Sequence, residues 1–95
     1  MMKIERDEHG KKGAFYIEEE GEWIAEMTYF RSGDGEITID HTEIDPKLRG
    51  EGIGDDLISE AVKFARAEGL KIKATCPYAE KVLGKHPEFA DVLSS

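Results

Sequence analysis

The segment Arg49-Gly50-Glu51-Gly52-Ile53-Gly54 constrains this chain more than any other. It places three glycines within five residues, between a β-like stretch that ends near Asp45 and an amphipathic helical one. Glycine lets backbone amides approach a ligand with no side chain in the way. Successive amides at a helix start form an anion nest, which the helix dipole reinforces. A pyrophosphate is the natural guest of such a turn. The pattern is not the nucleoside-triphosphate loop, which ends in Gly-Lys-Ser/Thr, nor the full dinucleotide Gly-x-Gly-x-x-Gly. A merely flexible connection is the plainer alternative, and the strand–turn–helix context argues against it.

Residues 2–45 read as strands and residues 46–95 as helix, strand, helix. The expected strands are Lys3 to Asp7, Ala14 to Glu19, Trp23 to Phe30 and Glu36 to Asp45. Turn material lies at His9 to Gly13, Glu20-Gly21 and Ser32 to Gly35. In the third strand, alternation puts Trp23, Ala25, Met27 and Tyr29 on one face. The fourth strand slips phase: Ile37 and Ile39 point one way, yet the next apolar residue is Ile44. Either a bulge near His41 to Glu43 returns Ile44 to the buried face, or Ile44 buries on the opposite one. Beyond the glycine turn, Ile53, Leu57, Ile58, Ala61, Val62 and Ala65 form a helical stripe, ended by Gly69. Leu70 to Thr75 follows as a strand parallel to the fourth, through a right-handed crossover. Pro77 opens a second helix, to about Leu83 with Gly84 as its cap, and a short segment from Glu88 to Leu93 closes the chain. The fold class is α/β (α+β): a mixed sheet of four antiparallel strands, then a helix, a parallel fifth strand and short C-terminal helices, in one domain over residues 1–95.

The formal net charge of −8 argues against a duplex nucleic-acid binder, which needs a basic face, and against anionic membrane surfaces. A cationic partner such as an amine suits this balance, although a solvated acidic surface explains it as well. A single cysteine, Cys76, permits no intramolecular disulfide. His9, His41 and His86 have no metal-ligand spacing with it, so no metal is expected. No apolar run reaches membrane-span length and no signal peptide is visible, which makes a cytoplasmic location the default expectation.

Taken together, the Arg49 to Gly54 turn, His41-Thr42-Glu43-Ile44, Cys76-Pro77-Tyr78 and His86-Pro87-Glu88-Phe89 resemble the GNAT N-acetyltransferases, and within them a group of minimal proteins of about this length. The likeness covers nearly the whole chain. It implies acetyl transfer from acetyl-CoA to an amine of a small molecule or protein, with the chain acting as monomer or homodimer. Under the resemblance, the amides from Arg49 to Gly54 (Arg49, Gly50, Glu51, Gly52, Ile53 and Gly54), with Asp55, hold the coenzyme A pyrophosphate. Ile44 offers backbone hydrogen bonds to the pantetheine arm. The thioester then sits between the splayed fourth and fifth strands.

Candidate catalytic groups cluster around that point. Cys76 caps the second helix, where the dipole favours thiolate. It is a candidate nucleophile or acid, or else a small buried hydrophobe. His41 is a candidate base, with Glu43 as its competitor, and a structural hydrogen bond is the alternative for the histidine. Tyr78 could pack on the cofactor or donate a proton, with a core or half-exposed position as the plainer reading, and the family's general-acid tyrosine has no clear match. Lys81, Lys85 and His86 could meet the adenosine phosphate, and Glu18 to Glu20 with Glu22 could attract a cationic substrate, although solvated charges are the plainer reading of both. The family's helical region after the first strand is absent, so a non-catalytic acyl-coenzyme A-binding module is the rival reading. Asp55 and Asp56 are unusual neighbours for a phosphate.

Overall fold

The computed structural model describes residues 3–94. Its five-stranded sheet runs in sequence order. Strands β1 (Glu5–His9), β2 (Lys12–Glu19), β3 (Glu22–Gly33) and β4 (Glu36–Ile44) form an antiparallel meander. Helix α1 (Ile53–Glu68) crosses over to β5 (Lys71–Ala74), which pairs in parallel with β4. Helix α2 (Pro77–Lys85) follows, and the 3-10 turns Pro46–Leu48 and Pro87–Val92 complete the order. The expected fold class is the observed one.

Local chemistry sets the boundaries. The first hairpin turns at Gly10 (φ +61°), so β1 starts and ends two residues later than alternation suggested, and β2 begins at Lys12. Glu20 and Gly21 both have positive φ, +52° and +81°, as the tight hairpin turns that match strand twist require. Helix α2 continues through Gly84 to Lys85 rather than capping there, because Pro87 and the extended His86 end it instead.

Both helices cover one face of the sheet. The α1 stripe of Ile53, Leu57, Ile58, Ala61, Val62 and Ala65 is buried throughout. It meets Phe15, Ile17, Met27, Tyr29, Ile37, Ile39 and Ile72 in one core, which α2 closes with Ala79, Val82 and Leu83. Trp23 breaks the expected alternation. A bulge in β3 pairs Ile17 with Ala25 but Glu18 with Trp23, leaving Ile24 as the extra residue. Ile24 and Ala25 are therefore both buried, and Trp23 turns to the outer face, where its ring stacks on Tyr16 at 4.0 Å.

At the far end of the core, the phenol of Tyr29 donates to Glu8 Oε1 at 2.6 Å and accepts from Arg6 Nη1 at 3.0 Å. That phenolic hydrogen bond, with Arg31 beside it, holds the Glu8 carboxyl below its ordinary value of 4.5. A carboxyl depressed by folding contributes stability above its unfolded pKa, and the contribution is lost as pH falls through the folded value. Melting temperatures followed by circular dichroism should therefore drop as pH falls below about 4.5, and a Glu8→Gln chain should show a shallower acid slope.

Candidate active site

The site begins with the phase slip in β4. Tyr29 pairs with Ile39 but Thr28 with His41, so Asp40 is the bulged residue. Its carboxylate accepts from Thr28 Oγ1 at 2.6 Å, which holds the extra residue outward. Of the two alternatives the sequence leaves open, the bulge is the one observed, just before the span His41 to Glu43. Thr42 and Ile44, opposite Met27 and Ala25, return to the helix side, while His41 and Glu43 face outward. Pairing between β4 and β5 stops at Ile39–Ala74. The Ile39 carbonyl then accepts from the amides of both Thr75 and Cys76, at 2.9 and 3.3 Å. Past that point the two strands part.

An open pocket of ≈ 390 Å³ fills the splay. Thr42 and Ile44 of β4 form one wall, Leu48, Arg49, Gly50, Gly52, Ile53 and Gly54 the next, and Tyr78 of α2 closes it. Gly50 (φ +85°) and Gly52 (φ +73°) supply the left-handed turns, with open space where a side chain would stand. The first helical bond runs from the Asp56 amide to the Gly52 carbonyl at 3.0 Å. The amides from Gly52 to Asp55 thus precede the helical ladder, as helix starts leave them.

Two parts of the expected cradle are differently employed. The amides of Arg49 and Glu51 are spent within the turn, on Pro46 O at 3.2 Å and Leu48 O at 3.4 Å. The 3-10 turn that seats Leu48 in the core causes this, so Arg49 lines the pocket while Glu51 stands outside it. Asp55 does not line it either: its carboxylate lies 3.4 Å from His86 Nε2. His86 also approaches Glu88 at 3.6 Å, so it is not merely a solvated charge.

Cys76 caps α2 and is buried, its thiol donating to Thr42 Oγ1 at 3.6 Å. This contact ties β4 to α2 where the strands part. His41 and Glu43 lie together on the outer face, 3.5 Å apart and exposed, beside the bulge but outside the pocket. Among the described residues no group of three or more His, Cys, Asp and Glu side chains converges as a metal site.

The match to the family model for GCN5-related N-acetyl-transferases spans residues 14–92. The chain belongs to the GCN5-related N-acetyltransferase family. A GCN5-like candidate N-acetyltransferase from Staphylococcus aureus, solved in solution by NMR, is 36% identical, covers 100% of this chain and 92% of its own, and superposes with a TM-score of 0.76. Protein NATD1 of Xenopus tropicalis is 33% identical over 63 residues, 66% of this chain and 58% of the relative; the chain thus spans little over half of that protein. The Danio rerio NATD1 is 30% identical over 87 residues, 90% of this chain and 77% of the relative. A ribosomal-protein-alanine N-acetyltransferase from Brucella melitensis shares the fold, at a TM-score of 0.66 and 15% identity, over 90% of this chain and 63% of its own.

Family membership supports acetyl transfer as the general chemistry of this GNAT domain, and it draws attention to the proton-donor candidate on α2. Tyr78 stands at the start of the helix after the fifth strand, its ring over Gly54 so closely that a Cβ there would overlap the phenol. Burial, followed by the nearby Asp55 and Cys76, pushes its pKa above the ordinary 10.0. The phenol therefore keeps its proton throughout the neutral range. The available signal was Gly54 itself, a helical glycine that no positive φ requires.

Proposed function

We propose that this GNAT domain is an N-acetyltransferase that uses acetyl-CoA to acetylate an amine. The carrying observation is the pocket between β4 and the glycine turn, with Tyr78 at its rim and Cys76 at the parting of the strands. Its residues suit coenzyme A: free amides at a helix start for the pyrophosphate, and the Ile44 backbone at a strand end for the pantetheine amides. Acetyl-coenzyme A supplies an acyl thioester, whose carbonyl carbon bonds to the amine nitrogen as its carbon–sulfur bond breaks.

The chain's residues manage the protons and charge. His41, oriented by Glu43, removes the proton that makes an incoming ammonium unreactive. Amides beside the bulge stabilise charge developing on the carbonyl oxygen. Tyr78 gives its proton to the departing sulfur and recovers one from the new amide nitrogen through solvent. Cys76 holds β4 against α2 through Thr42, and no covalent acyl-cysteine is required.

Calorimetric titration with acetyl-CoA tests the reading. Saturable binding is expected for the parent and its loss in Gly52→Trp, where an indole covers the amides. Cys76→Ala should bind and still turn over. No binding by the parent would sink the proposal, and a Cys76→Ala chain that binds without any turnover would restore the thiol as nucleophile.

A further inference from the structure

The inward-facing row of β4 reads Ile37, Ile39, Thr42 and Ile44, because the extra residue at Asp40 shifts the alternation by one. Thr42 is the single hydroxyl in a row of isoleucines. It stands just past Ile39, where β5 leaves β4, and it lines the pocket that opens there. The other polar side chains around that pocket, Arg49 and Tyr78, come from the turn and from α2.

Packing does not ask for this hydroxyl. Valine has nearly the same shape and suits a half-buried strand as well, and it brings no polar group that must be withdrawn from water. Among the described residues Thr42 Oγ1 has one hydrogen-bond partner, the Cys76 thiol, which donates to it at 3.6 Å. A threonine hydroxyl carries one hydrogen to donate and two lone pairs to accept with. The thiol engages a lone pair and leaves the hydrogen unspent. Cys76 is itself held in place, since its amide donates to the Ile39 carbonyl at 3.3 Å and its side chain is buried. The hydroxyl is thus tethered on one side and has a donor free at the wall of the pocket.

Building on the acetyl-transfer reading, we propose that Thr42 is a catalytic residue of this domain: its hydroxyl, oriented by the Cys76 thiol, donates a hydrogen bond to the carbonyl oxygen of the acetyl thioester. The bond strengthens as negative charge develops on that oxygen, and it adds a side-chain donor to the amides beside the bulge. Cys76 is then a positioning residue that acts through Thr42. Coenzyme A, the product, has no acetyl carbonyl, so the same hydroxyl lets the pocket hold the donor more tightly than the product. The two banks divide the thioester between them, Thr42 serving its oxygen and Tyr78 its sulfur.

Two measurements test this without an acceptor amine: calorimetry with acetyl-CoA and with coenzyme A, and infrared difference spectra of acetyl-CoA isotope-labelled at the carbonyl. In the parent chain the carbonyl stretch should move to lower frequency on binding. Thr42→Val should lose part of that shift, bind acetyl-CoA about three- to tenfold more weakly, as the loss of one hydrogen bond implies, and bind coenzyme A as before. Thr42→Ser, which keeps a hydroxyl, should retain both the shift and the affinity. Thr42→Val should also melt no lower than the parent, because the hydroxyl serves the ligand and not the fold. An unchanged shift in Thr42→Val, or equal weakening toward acetyl-CoA and coenzyme A, would overturn the role of Thr42 and leave acetyl transfer standing. A shift kept in Thr42→Val but lost in Cys76→Ala would give the hydrogen bond to the thiol instead. If the parent binds neither ligand, the acetyl-transfer reading falls and this inference falls with it.

Discussion

Gly13→Ala is expected to lower the melting temperature by about 10–20 °C, an effect of roughly 2–3 kcal/mol at the upper end of overpacking costs. Gly13 faces Tyr29 across the β2–β3 ladder, and an added Cβ would overlap the phenol ring. The ring has nowhere to go. It is 1% exposed, and it packs 5.5 Å from Phe15 and 6.1 Å from Phe64. Its hydroxyl is engaged by Glu8 and Arg6, so displacing it also strands polar partners. Alanine's better strand propensity offsets only a fraction of this, since the whole β scale spans about 1 kcal/mol. Thermal unfolding checks it. A Gly13→Ala, Tyr29→Leu double variant should recover part of the loss, because the smaller side chain frees the space.

Gly54→Ala presents the same clash and should give the opposite outcome. The obstructing atoms again belong to a tyrosine ring, but Tyr78 is 41% exposed and its far end can swing into solvent. Gly54 is a helical residue without positive φ, so alanine there gains up to about 1 kcal/mol of helix propensity. Stability should therefore be retained or slightly raised. Turnover should fall about 10²-fold, the scale of a lost general acid, because the phenol has left the pocket rim. The decisive comparison is a cycle with Tyr78→Phe. If Gly54 serves only to seat Tyr78, the double variant should be no worse than either single one. Multiplying defects would show that Gly54 acts on the coenzyme directly.

These two positions also show what the sequence could and could not disclose. The meander, the crossover and the α1 stripe follow from hydrophobic period alone, and the structure keeps them. The five-residue gap between Ile39 and Ile44 leaves two readings open in the sequence, a bulge near His41 to Glu43 or Ile44 on the opposite face, and the structure has the bulge one residue earlier, at Asp40. Asp40 takes the place because Thr28, a neighbour only after pairing, binds its carboxylate. Trp23 was misplaced for a related reason: alternation assumes an unbroken ladder, and the second bulge, at Ile24, turned the indole outward onto Tyr16. Glycine-rich patterning marks the turn proposed to hold the cofactor but does not divide its amides. That division depends on how the Pro46–Leu48 turn consumes the amides of Arg49 and Glu51. Tyr78 is legible in the sequence only as one possible proton donor, because what singles it out is a contact with Gly54, on a different helix.

The parallel pairing of β4 with β5 has a further consequence. Residues 5–44 fold back on themselves through short hairpins, whereas the Glu36–Lys71 to Ile39–Ala74 ladder joins segments 35 positions apart in the chain. Closing so distant a contact is entropically dearer than closing a hairpin. The pocket proposed for the coenzyme straddles that seam, with β4 on one bank and the α1 turn and α2 on the other. A molecule bound there fastens the two sides of that seam to each other. At a hundredfold excess over its dissociation constant it would add about 2.7 kcal/mol to the folded state, so the cell's supply of the donor would govern how long a domain this small endures.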